Sequence, residues 1–522
     1  MTCFTTCCKV LVLWNTVLVV LVAVIAGAWT KELAIFREGT PGAQWVNWIG
    51  EFGCGAAHIE RPTSLTELQA AVKRHSSVRV AATGHSFNPF ACPADSSGAV
   101  VDVRGFRELE VIKLPDGRHA VSAQAGITMG QLQNLILAQG LTLRVPPGNS
   151  AYTLGGCLAT GCHNLGQGHA EDLLSITFVL HDGSVREVLR GDSDFNAAAV
   201  SLGRLGVILN ATLEVLPYRA LHWSSEELPM PAELPWETLQ EMASKQTSQE
   251  TIGNKLVFYF ASKVFMVEHW TATGRVTTVG PSEPLEPYVN RQPFRLGQGT
   301  FSEFLARARK GVFSLVPLWM LQRVQAPAEH AFRSLHSSAE MAKLRQALGW
   351  QHSPESRGDG ADRPKGNQWT WAGWLDEVVN LFMGLRHVEV IFPLHPREQA
   401  IKCFDVVFAH QHLAWWRLNI RTMPSDEFFV SSTHSPASNR TTFLRVDFVA
   451  PGGLLDIDSG EASLTEQLHR HCPGWRKHWG KGLWKTSSDE KWGDAAAFLE
   501  VVRRWDPNSK FQPQDSPAWL SP

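Results

Sequence analysis

The sequence predicts an α+β fold in two parts, preceded by an apolar N-terminal helix. Three observations predict it. Short strand-like runs in the first part are bounded by turn residues and mixed with capped helices, which is typical of α+β chains and not of a doubly wound parallel sheet. From about Tyr218, tryptophan, proline and long helical stretches become more frequent. An uncharged run lies close to the N-terminus.

The uncharged run extends from Val10 to Ala28. It is long enough for a helix to span a bilayer. A cleaved signal peptide is the alternative, because Ala26-Gly27-Ala28 resembles a cleavage site. We therefore expect a tail over residues 1–9 and a single-pass membrane anchor or signal segment over residues 10–29. The expected location is the endoplasmic reticulum or secretory pathway, or the exterior if the segment is cleaved.

The first part is expected to form a domain over residues 45–218. Ser64 with Glu67, and Thr128 with Gln131, have the spacing of capping boxes and predict two helices. Strands are predicted in residues 78–84, 99–105 and 119–126. A hairpin is predicted over residues 172–189, with Asp182-Gly183 as its turn.

The second part is expected to extend over residues 219–475, with an exposed insertion near 352–368 that is rich in glycine, aspartate and proline. The runs "HVEVIFPL" and "FLRVDFVAP" are predicted to be strands. Residues 476–522 form a third stretch, in which a helix is followed by a proline-terminated tail.

Composition excludes several classes of function. The formal net charge of −2 gives no basic face of the kind that nucleic-acid binders carry. Nine cysteines are too sparse for a disulfide scaffold, and none forms a C-x-x-C pair. The twenty histidines contain no H-E-x-x-H or equivalent spacing, so no metal site is predicted.

A glycine-rich loop lies between residues 148 and 168. It follows neither the P-loop pattern nor the G-x-G-x-x-G pattern of dinucleotide folds. Closely spaced glycines let backbone N–H groups approach a phosphate, since no Cβ is in the way. A tight structural loop gives the same spacing, so the loop alone leaves both interpretations open.

Four ordered motifs carry a resemblance to a known family: "ATGHSFNPF", "AGITMGQL", "TLGGCLATGCHNLG" and "LGRLGVI". Further on, "RHVEVIFPL", "KHWGK" and "RRWDPNSKF" follow. Together they resemble the vanillyl-alcohol oxidase / p-cresol methylhydroxylase flavoproteins, and in particular the sugar-1,4-lactone oxidases. The resemblance covers roughly residues 45 to 515. It implies a p-cresol methylhydroxylase-type FAD-binding domain of two subdomains, an α+β substrate (cap) domain, and a C-terminal segment that completes the flavin site.

The resemblance implies FAD as cofactor, bonded covalently through His85. A non-covalent FAD beside a loop histidine is the alternative. A second covalent bond through Cys157 or Cys162 does not fit the spacing to His163, and small buried residues are expected there. The other residues that the resemblance assigns to the cofactor are Gly84, Ser86, Asn88, Gly155, Gly156, Thr160, Gly161, His163, Gly206, Val207 and Ile208.

On the substrate side the resemblance implies a Glu-x-Arg pair on one strand, plus a lysine from "KHWGK". Arg421 and Lys481 match this pattern, but Asn419 stands at the glutamate's position. Asparagine can bond a substrate hydroxyl but cannot act as a base. Glu389 is an acid among apolar neighbours, with a pocket role or a structural ion pair equally open. His478 belongs to the same signature and completes the expected catalytic set.

The implied reaction is oxidation of a C–OH group of an aldono-1,4-lactone, by hydride transfer to flavin N5. Dioxygen or another acceptor would reoxidise the flavin, in an ascorbate-type biosynthesis. Two alternatives stay open. One is an alditol or polyol oxidase of the same fold. The other is a membrane-anchored flavin-binding protein with impaired turnover, marked by Asn419.

Overall fold

The computed structural model describes residues 45–47, 52–54, 58–145, 152–218, 221–229, 235–245, 251–259, 263–272, 385–414, 417–451, 457–482, 493–514 and 517–520. The predicted tail, the apolar segment over residues 10–29 and the insertion near 352–368 lie outside these ranges. Within them, no helix combines the length and apolar character needed to cross a membrane.

Strands and helices alternate irregularly along the described chain. The strands are Trp45–Val46 (β1), Gly53–Cys54 (β2), His58–Glu60 (β3), Val78–Ala81 (β4), Ala99–Asp102 (β5), Leu109–Lys113 (β6), His119–Gln124 (β7), Leu141–Thr142 (β8), His163–Asn164 (β9), Gln167–Gly168 (β10), Leu173–Val179 (β11), Val185–Leu189 (β12), Val207–Pro217 (β13), Leu221–Pro229 (β14), Thr251–Tyr259 (β15), Val264–Ala272 (β16), Leu385–Pro393 (β17), Arg417–Pro424 (β18), Thr442–Pro451 (β19) and Arg476–Lys477 (β20). The helices are Leu65–Arg74 (α1), Met129–Leu137 (α2), Leu154–Thr160 (α3), Phe195–Ala198 (α4), Trp236–Lys245 (α5), Arg397–Ala409 (α6), Ile457–His471 (α7) and Ala495–Trp505 (α8).

A small parallel sheet with the order β3-β5-β4 opens the first part. Helix α1 connects β3 to β4 and packs Leu68 and Val72 against this sheet. Ser64 Oγ accepts a hydrogen bond from the Glu67 N–H at 3.3 Å, as the capping pattern predicts. The Glu67 carboxylate bonds Thr63 instead of the cap residue, so only half of the predicted box forms.

The second sheet is antiparallel and follows the order β12-β11-β13-β7-β6, with β8 paired to β13. The predicted hairpin is present as β11 and β12, with Gly183 at φ +79° in its turn. The capping box of Thr128 and Gln131 is complete at the start of α2. Gly155 in α3 lies so close to the sheet that a Cβ there would be 2.8 Å from the Ala125 Cβ. The sheet therefore holds α3 in close contact.

The third sheet has seven strands in the order β14-β16-β15-β18-β19-β17-β20, and its pairs are antiparallel. Successive side chains on a strand point to opposite faces. One face packs apolar side chains such as Val390, Ile420 and Val446 against helices α5, α6 and α7. The residues between them include charged groups such as Glu389, and this charged face turns toward the first part. The α+β fold class is therefore confirmed.

The C-terminal segment returns to the first part of the chain. The Phe87 N–H donates to the Gly480 carbonyl at 2.9 Å, and Trp479 is buried in the same core as α2 and α8. Asp194, just before α4, accepts hydrogen bonds from Arg504 and Trp505 of α8. The hydrogen bond between Phe87 and Gly480 holds the "KHWGK" segment against the strand-ending turn at His85, and the bonds of Asp194 hold α8 beside α4.

Two disulfide bonds join Cys54 to Cys92 and Cys403 to Cys472. Sequence reasoning did not find them, because partners separated by 38 and 69 residues leave no local pattern. Cys157 and Cys162 are free thiols; Cys157 is buried and Cys162 is partly buried. The expectation of a small buried residue is confirmed at Cys157, whereas Cys162 is only partly buried.

Candidate active site

A cavity of about 320 Å³ lies between the first part and the charged face of the third sheet. Its size falls within the range of small-molecule and cofactor sites. Most residues that the sequence assigned to the cofactor line it: Gly84, His85, Ser86, Asn88, Gly155, Gly156, Thr160, His163, Gly206 and Ile208. Arg421, Lys481 and His478 line it as well.

His85 lies on the turn that follows β4. Gly84 precedes it at φ +70°, a conformation that glycine adopts without strain. The His85 ring packs edge-on against Tyr152, with 5.5 Å between ring centroids. Burial lowers the pKa of His85 to about 4, although a hydrogen bond with the Thr83 backbone opposes the shift. The imidazole is therefore neutral at physiological pH, as a nucleophile toward a flavin must be.

Asn88 stabilises this turn. Its Nδ2 donates to the Trp479 carbonyl and its Oδ1 accepts from the Phe90 N–H at 3.1 Å. Both ends of the amide are thus engaged with the protein itself. Asn88 holds the turn to the "KHWGK" segment and also lines the cavity, and its assignment to the cofactor stays a prediction.

The glycine-rich wall of the cavity comes from α3 and from the start of β13. Gly161 does not line the cavity; it adopts φ +70° as the left-handed cap that ends α3. Val207 also points away, into the apolar core, because strand alternation gives the cavity side to Ile208. Gly206 at φ +144° leaves no room for a Cβ, which would lie 2.5 Å from the Val179 carbonyl oxygen.

Arg79 is a buried cation at the cavity that sequence reasoning missed. It donates hydrogen bonds to four backbone carbonyls, those of Phe90, Leu202, Gly203 and Phe511, at 2.6–2.9 Å. Burial, together with the neighbouring Arg204, lowers its pKa to about 9. No motif marked it, because a single arginine inside a strand carries no spacing signal.

Glu389 is the centre of the charged face. It is fully buried and does not line the cavity. Its oxygens contact Arg445 at 3.0 Å, His163 at 3.0 Å and Lys481 at 2.8 Å. Burial alone would raise its pKa, but these neighbours hold the pKa well below its usual range. Of the two roles left open for Glu389, the structure shows the ion pair.

Asp447 is a second carboxylate on this face, and it does line the cavity. Its oxygens lie 3.0 Å from Arg421 NH1 and 3.5 Å from Lys481 Nζ. Burial raises the pKa of Asp447, but Arg421 and Lys481 outweigh that effect and lower it to about 2. Sequence reasoning did not single Asp447 out.

Asn419 lies directly across the strand pair from Asp447. It is buried but does not line the cavity. Its Oδ1 has no hydrogen-bond partner among the described residues. Asn419, the departure from the Glu-x-Arg pattern, thus lies beside a residue of the cavity wall without lining the cavity itself.

Three more histidines lie around the charged face. Burial is the main cause that lowers the pKa of His163 to about 3, and the positive charge of Arg445 is the second. Burial, followed by Lys481, lowers the pKa of His387 to about 4, and burial brings that of His478 well below its usual value. His163 therefore donates Nε2–H to Glu389 as a neutral ring, and His478 Nδ1 accepts from the Gly480 N–H at 3.0 Å.

His163, Glu389 and His478 offer ligand atoms within 4.8 Å of one another. Their wide separation in sequence hid this group from spacing arguments. A metal ion there would compete with Arg445 and Lys481, which already contact the carboxylate. Two adjacent cations disfavour a divalent ion on electrostatic grounds. The absence of a metal site remains a prediction.

The cavity wall suits a dinucleotide flavin at one end and a polar substrate at the other. Small residues and a glycine turn allow close approach of a diphosphate. At the charged end, His163 Nδ1 and Arg421 Nε are buried and lack partners among the described residues. An acceptor and a donor of this kind are what a bound polar molecule would satisfy.

In part of its sequence the chain is similar to FAD-binding proteins. A family model described as "FAD binding domain" matches residues 56–189. Two solved cholesterol oxidases share the fold. One from B. sterolicum has a TM-score of 0.64 at 13% identity and covers 92% of this chain and 96% of its own. The other, a solvent-stable enzyme, has a TM-score of 0.58 at 16% identity and covers 90% and 96%.

Within that class, the chain is similar to curated sugar-lactone enzymes. It is 34% identical to L-gulono-1,4-lactone dehydrogenase of Mycobacterium tuberculosis, over 34% of this chain and 42% of that protein. It is 31% identical to L-gulonolactone oxidase of Mus musculus over the same shares, and 29% identical to alditol oxidase of a Streptomyces species over 33% and 41%. The resemblance that the motifs predict is thereby confirmed. The aligned segment spans less than half of each of these relatives.

Proposed function

We propose that this protein is an FAD-dependent oxidoreductase that oxidises a C–OH group of an aldono-1,4-lactone. The convergence of Arg421, Lys481 and Asp447 at the charged end of the cavity carries the proposal. Cations and a carboxylate recognise a polyhydroxylated molecule through hydrogen bonds to its hydroxyl and carbonyl oxygens. Relatives named as lactone oxidases and dehydrogenases support the same chemistry.

Bound FAD would supply the hydride acceptor of this reaction. The protein's part is to hold the substrate at the charged end and to exclude water. Arg421 and Lys481 would orient the lactone oxygens, and their positive charge would stabilise negative charge that builds up beside them. His163 and His478 remain neutral, so they add hydrogen bonds to the site without adding charge.

We further propose that His85 bonds the flavin covalently. Its ring lines the cavity and is neutral, and the turn that carries it is fixed by Asn88. Acid precipitation of the purified protein tests this: the yellow colour should stay with the polypeptide, and His85→Ala should release FAD on denaturation. Free FAD from the wild type would remove the covalent bond and leave the cavity assignment intact.

A polyol is the second candidate substrate, because one relative is named alditol oxidase. Steady-state comparison of L-gulono-1,4-lactone, D-arabinono-1,4-lactone and xylitol separates the two. The proposal includes dioxygen or another acceptor as the final oxidant, in an ascorbate-type biosynthesis. Comparing flavin reoxidation by dioxygen with reoxidation by an artificial acceptor decides between oxidase and dehydrogenase.

The proposed location is a membrane of the secretory pathway, with the described residues on the oxidising side. Two disulfides support this side, because such bonds form and persist in the lumen or outside the cell. Two stretches have the N-x-[ST] pattern of a glycosylation site, Asn439-Arg440-Thr441 and Asn210-Ala211-Thr212. Asn439 is exposed, whereas Asn210 is partly buried and bonds Ser122. Glycosidase digestion of protein from secretory cells should shift its mass, and mutation of Asn439 should abolish the shift.

A further inference from the structure

The charged face contains a carboxylate that no sequence pattern assigns to the chemistry. Asp447 on β19 pairs in register with Asn419 on β18 and with Glu389 on β17. Directly opposed residues in neighbouring antiparallel strands share a face. Asp447 therefore lies between the two positions that the sequence singled out, and of the three it alone lines the cavity.

Glu389 is not accessible to a molecule bound in the cavity. It is fully buried, and its two oxygens already contact Arg445, His163 and Lys481. A substrate hydroxyl would have to displace one of these partners to reach it. Asn419 has no acid–base capacity and does not line the cavity.

Asp447 also joins the two cations of the site. Arg421 contacts Oδ1 and Lys481 contacts Oδ2. The two cations, the carboxylate and the cavity thus meet at one point, although the three residues come from β18, β19 and the "KHWGK" segment. A substrate hydroxyl that enters between the cations would meet an oxygen of Asp447.

We propose that Asp447 is the catalytic residue that receives the proton of the substrate hydroxyl, in place of the glutamate that the Glu-x-Arg pattern would put at position 419. This inference rests on the proposed function. In the step, the C–H bond breaks and its electron pair leaves with the hydrogen to FAD, which is reduced. The O–H bond breaks, its electron pair becomes the second bond of the carbonyl, and its proton moves to Asp447 Oδ.

The low pKa of Asp447 is compatible with this role. As hydride departs, the hydroxyl becomes the O–H of a protonated carbonyl, which is a far stronger acid than a carboxylic acid. A carboxylate that is ionised throughout the physiological range can then accept the proton at every working pH. The two cations keep it ionised and also bind the oxygen from which the proton leaves.

Anaerobic flavin reduction by a panel of L-gulono-1,4-lactone, D-arabinono-1,4-lactone and xylitol tests the inference. We expect Asp447→Asn to slow reduction about 10²–10⁴-fold while the flavin content of the purified protein stays at the wild-type level. The rate of the variant should rise tenfold per pH unit, because hydroxide replaces the missing acceptor. In the wild type, titration of Asp447 should not change the rate above pH 4, because the carboxylate is already ionised there. A structural role alone would not produce this pH profile.

Glu268→Gln is the matched control. Glu268 is a buried carboxylate of the same sheet, paired with Lys255 at 3.2 Å, and it does not line the cavity. We expect its variant to reduce flavin at the wild-type rate. If Asp447→Asn lacks flavin, Asp447→Glu decides instead, since it keeps the charge and moves the oxygens by one methylene. We expect it to be at least tenfold slower.

A further variant, Asn419→Glu, tests whether the proton acceptor belongs at position 447 or at position 419. We expect Asn419→Glu to leave the rate unchanged or lower it, because it would add a second carboxylate beside a competent one. A tenfold gain in that variant, or wild-type rates in Asp447→Asn, would overturn the inference and leave the proposed function standing. A wild type that no member of the panel reduces would overturn the proposed function and, with it, the inference.

Discussion

The cofactor side and the substrate side of the cavity are constructed differently. On the cofactor side, polar side chains bond to backbone: Arg79 reaches four carbonyls, and Asn88 bonds Trp479 and Phe90. On the substrate side, side chains bond to each other, as Arg445 does to Glu389 and Arg421 to Asp447.

This difference decides how each side responds to substitution. A backbone carbonyl cannot be changed by mutation, so a cofactor-side arginine has no compensating partner. A buried pair of side chains can be replaced together, because removing both charges leaves neither uncompensated. The cofactor side should therefore be intolerant of change, whereas the substrate side should be tunable pair by pair.

The largest expected effect is that of Arg79→Met. The change leaves three buried carbonyls and one partly buried carbonyl without their donor, and each buried loss costs about 1 kcal/mol or more, so unfolding should become easier by at least about 3 kcal/mol. Urea denaturation of the flavin-loaded protein measures it. A loss below about 1 kcal/mol would show that water replaces the guanidinium there.

Arg445→Met should cost about 3 kcal/mol, because it leaves Glu389 with fewer cations in a fully buried position. The double variant Arg445→Met with Glu389→Gln should recover at least half of that loss in the same urea experiment. Strictly additive losses in the double variant would contradict the pairwise construction of the substrate side.

The contact between the cofactor side and the substrate side, which we call the seam, should lose stability in acid. His387 contacts Phe87 across the seam, and its pKa is about 4, below the value near 6.5 of an unfolded chain. As pH falls from 6.5 to 4, His387 becomes protonated in the unfolded state but remains largely neutral in the folded state. Stability therefore declines over this window and not above it. His387→Gln should reduce the decline by about 2 kcal/mol. The depressed pKa values of Glu389 and Asp447 act only below pH 4.5 or so.

The smallest expected effect concerns helix caps on the cofactor side. Thr128→Ala removes a complete capping box and should cost about 1 kcal/mol. Ser64→Ala removes a longer, exposed hydrogen bond and should cost less. Thermal unfolding of both variants measures the order. If Ser64→Ala costs more stability than Thr128→Ala, the completeness of the capping box does not determine how much each cap stabilises its helix.

The same contrast explains what the sequence could predict. The cofactor side lies in short continuous motifs, so the capped helices could be predicted from spacing, and His85 could be singled out through the family resemblance. The glycine-rich stretch was predicted as a loop, whereas Leu154–Thr160 within it form helix α3. Even there, Val207 and Gly161 were assigned to the cavity because spacing does not say which side of a strand or cap faces it. The substrate side depends on strand register, which paired Asp447 with Asn419 through contacts that no local pattern contains. The two disulfides escaped prediction for the same reason.

The proposed function is tested by the visible spectrum of the purified protein, recorded before and after L-gulono-1,4-lactone is added without oxygen. We expect a yellow protein whose visible flavin absorbance bleaches on addition of the lactone. A folded but colourless protein, after expression with ample flavin, would contradict it. So would a yellow protein whose spectrum neither the lactones nor xylitol change.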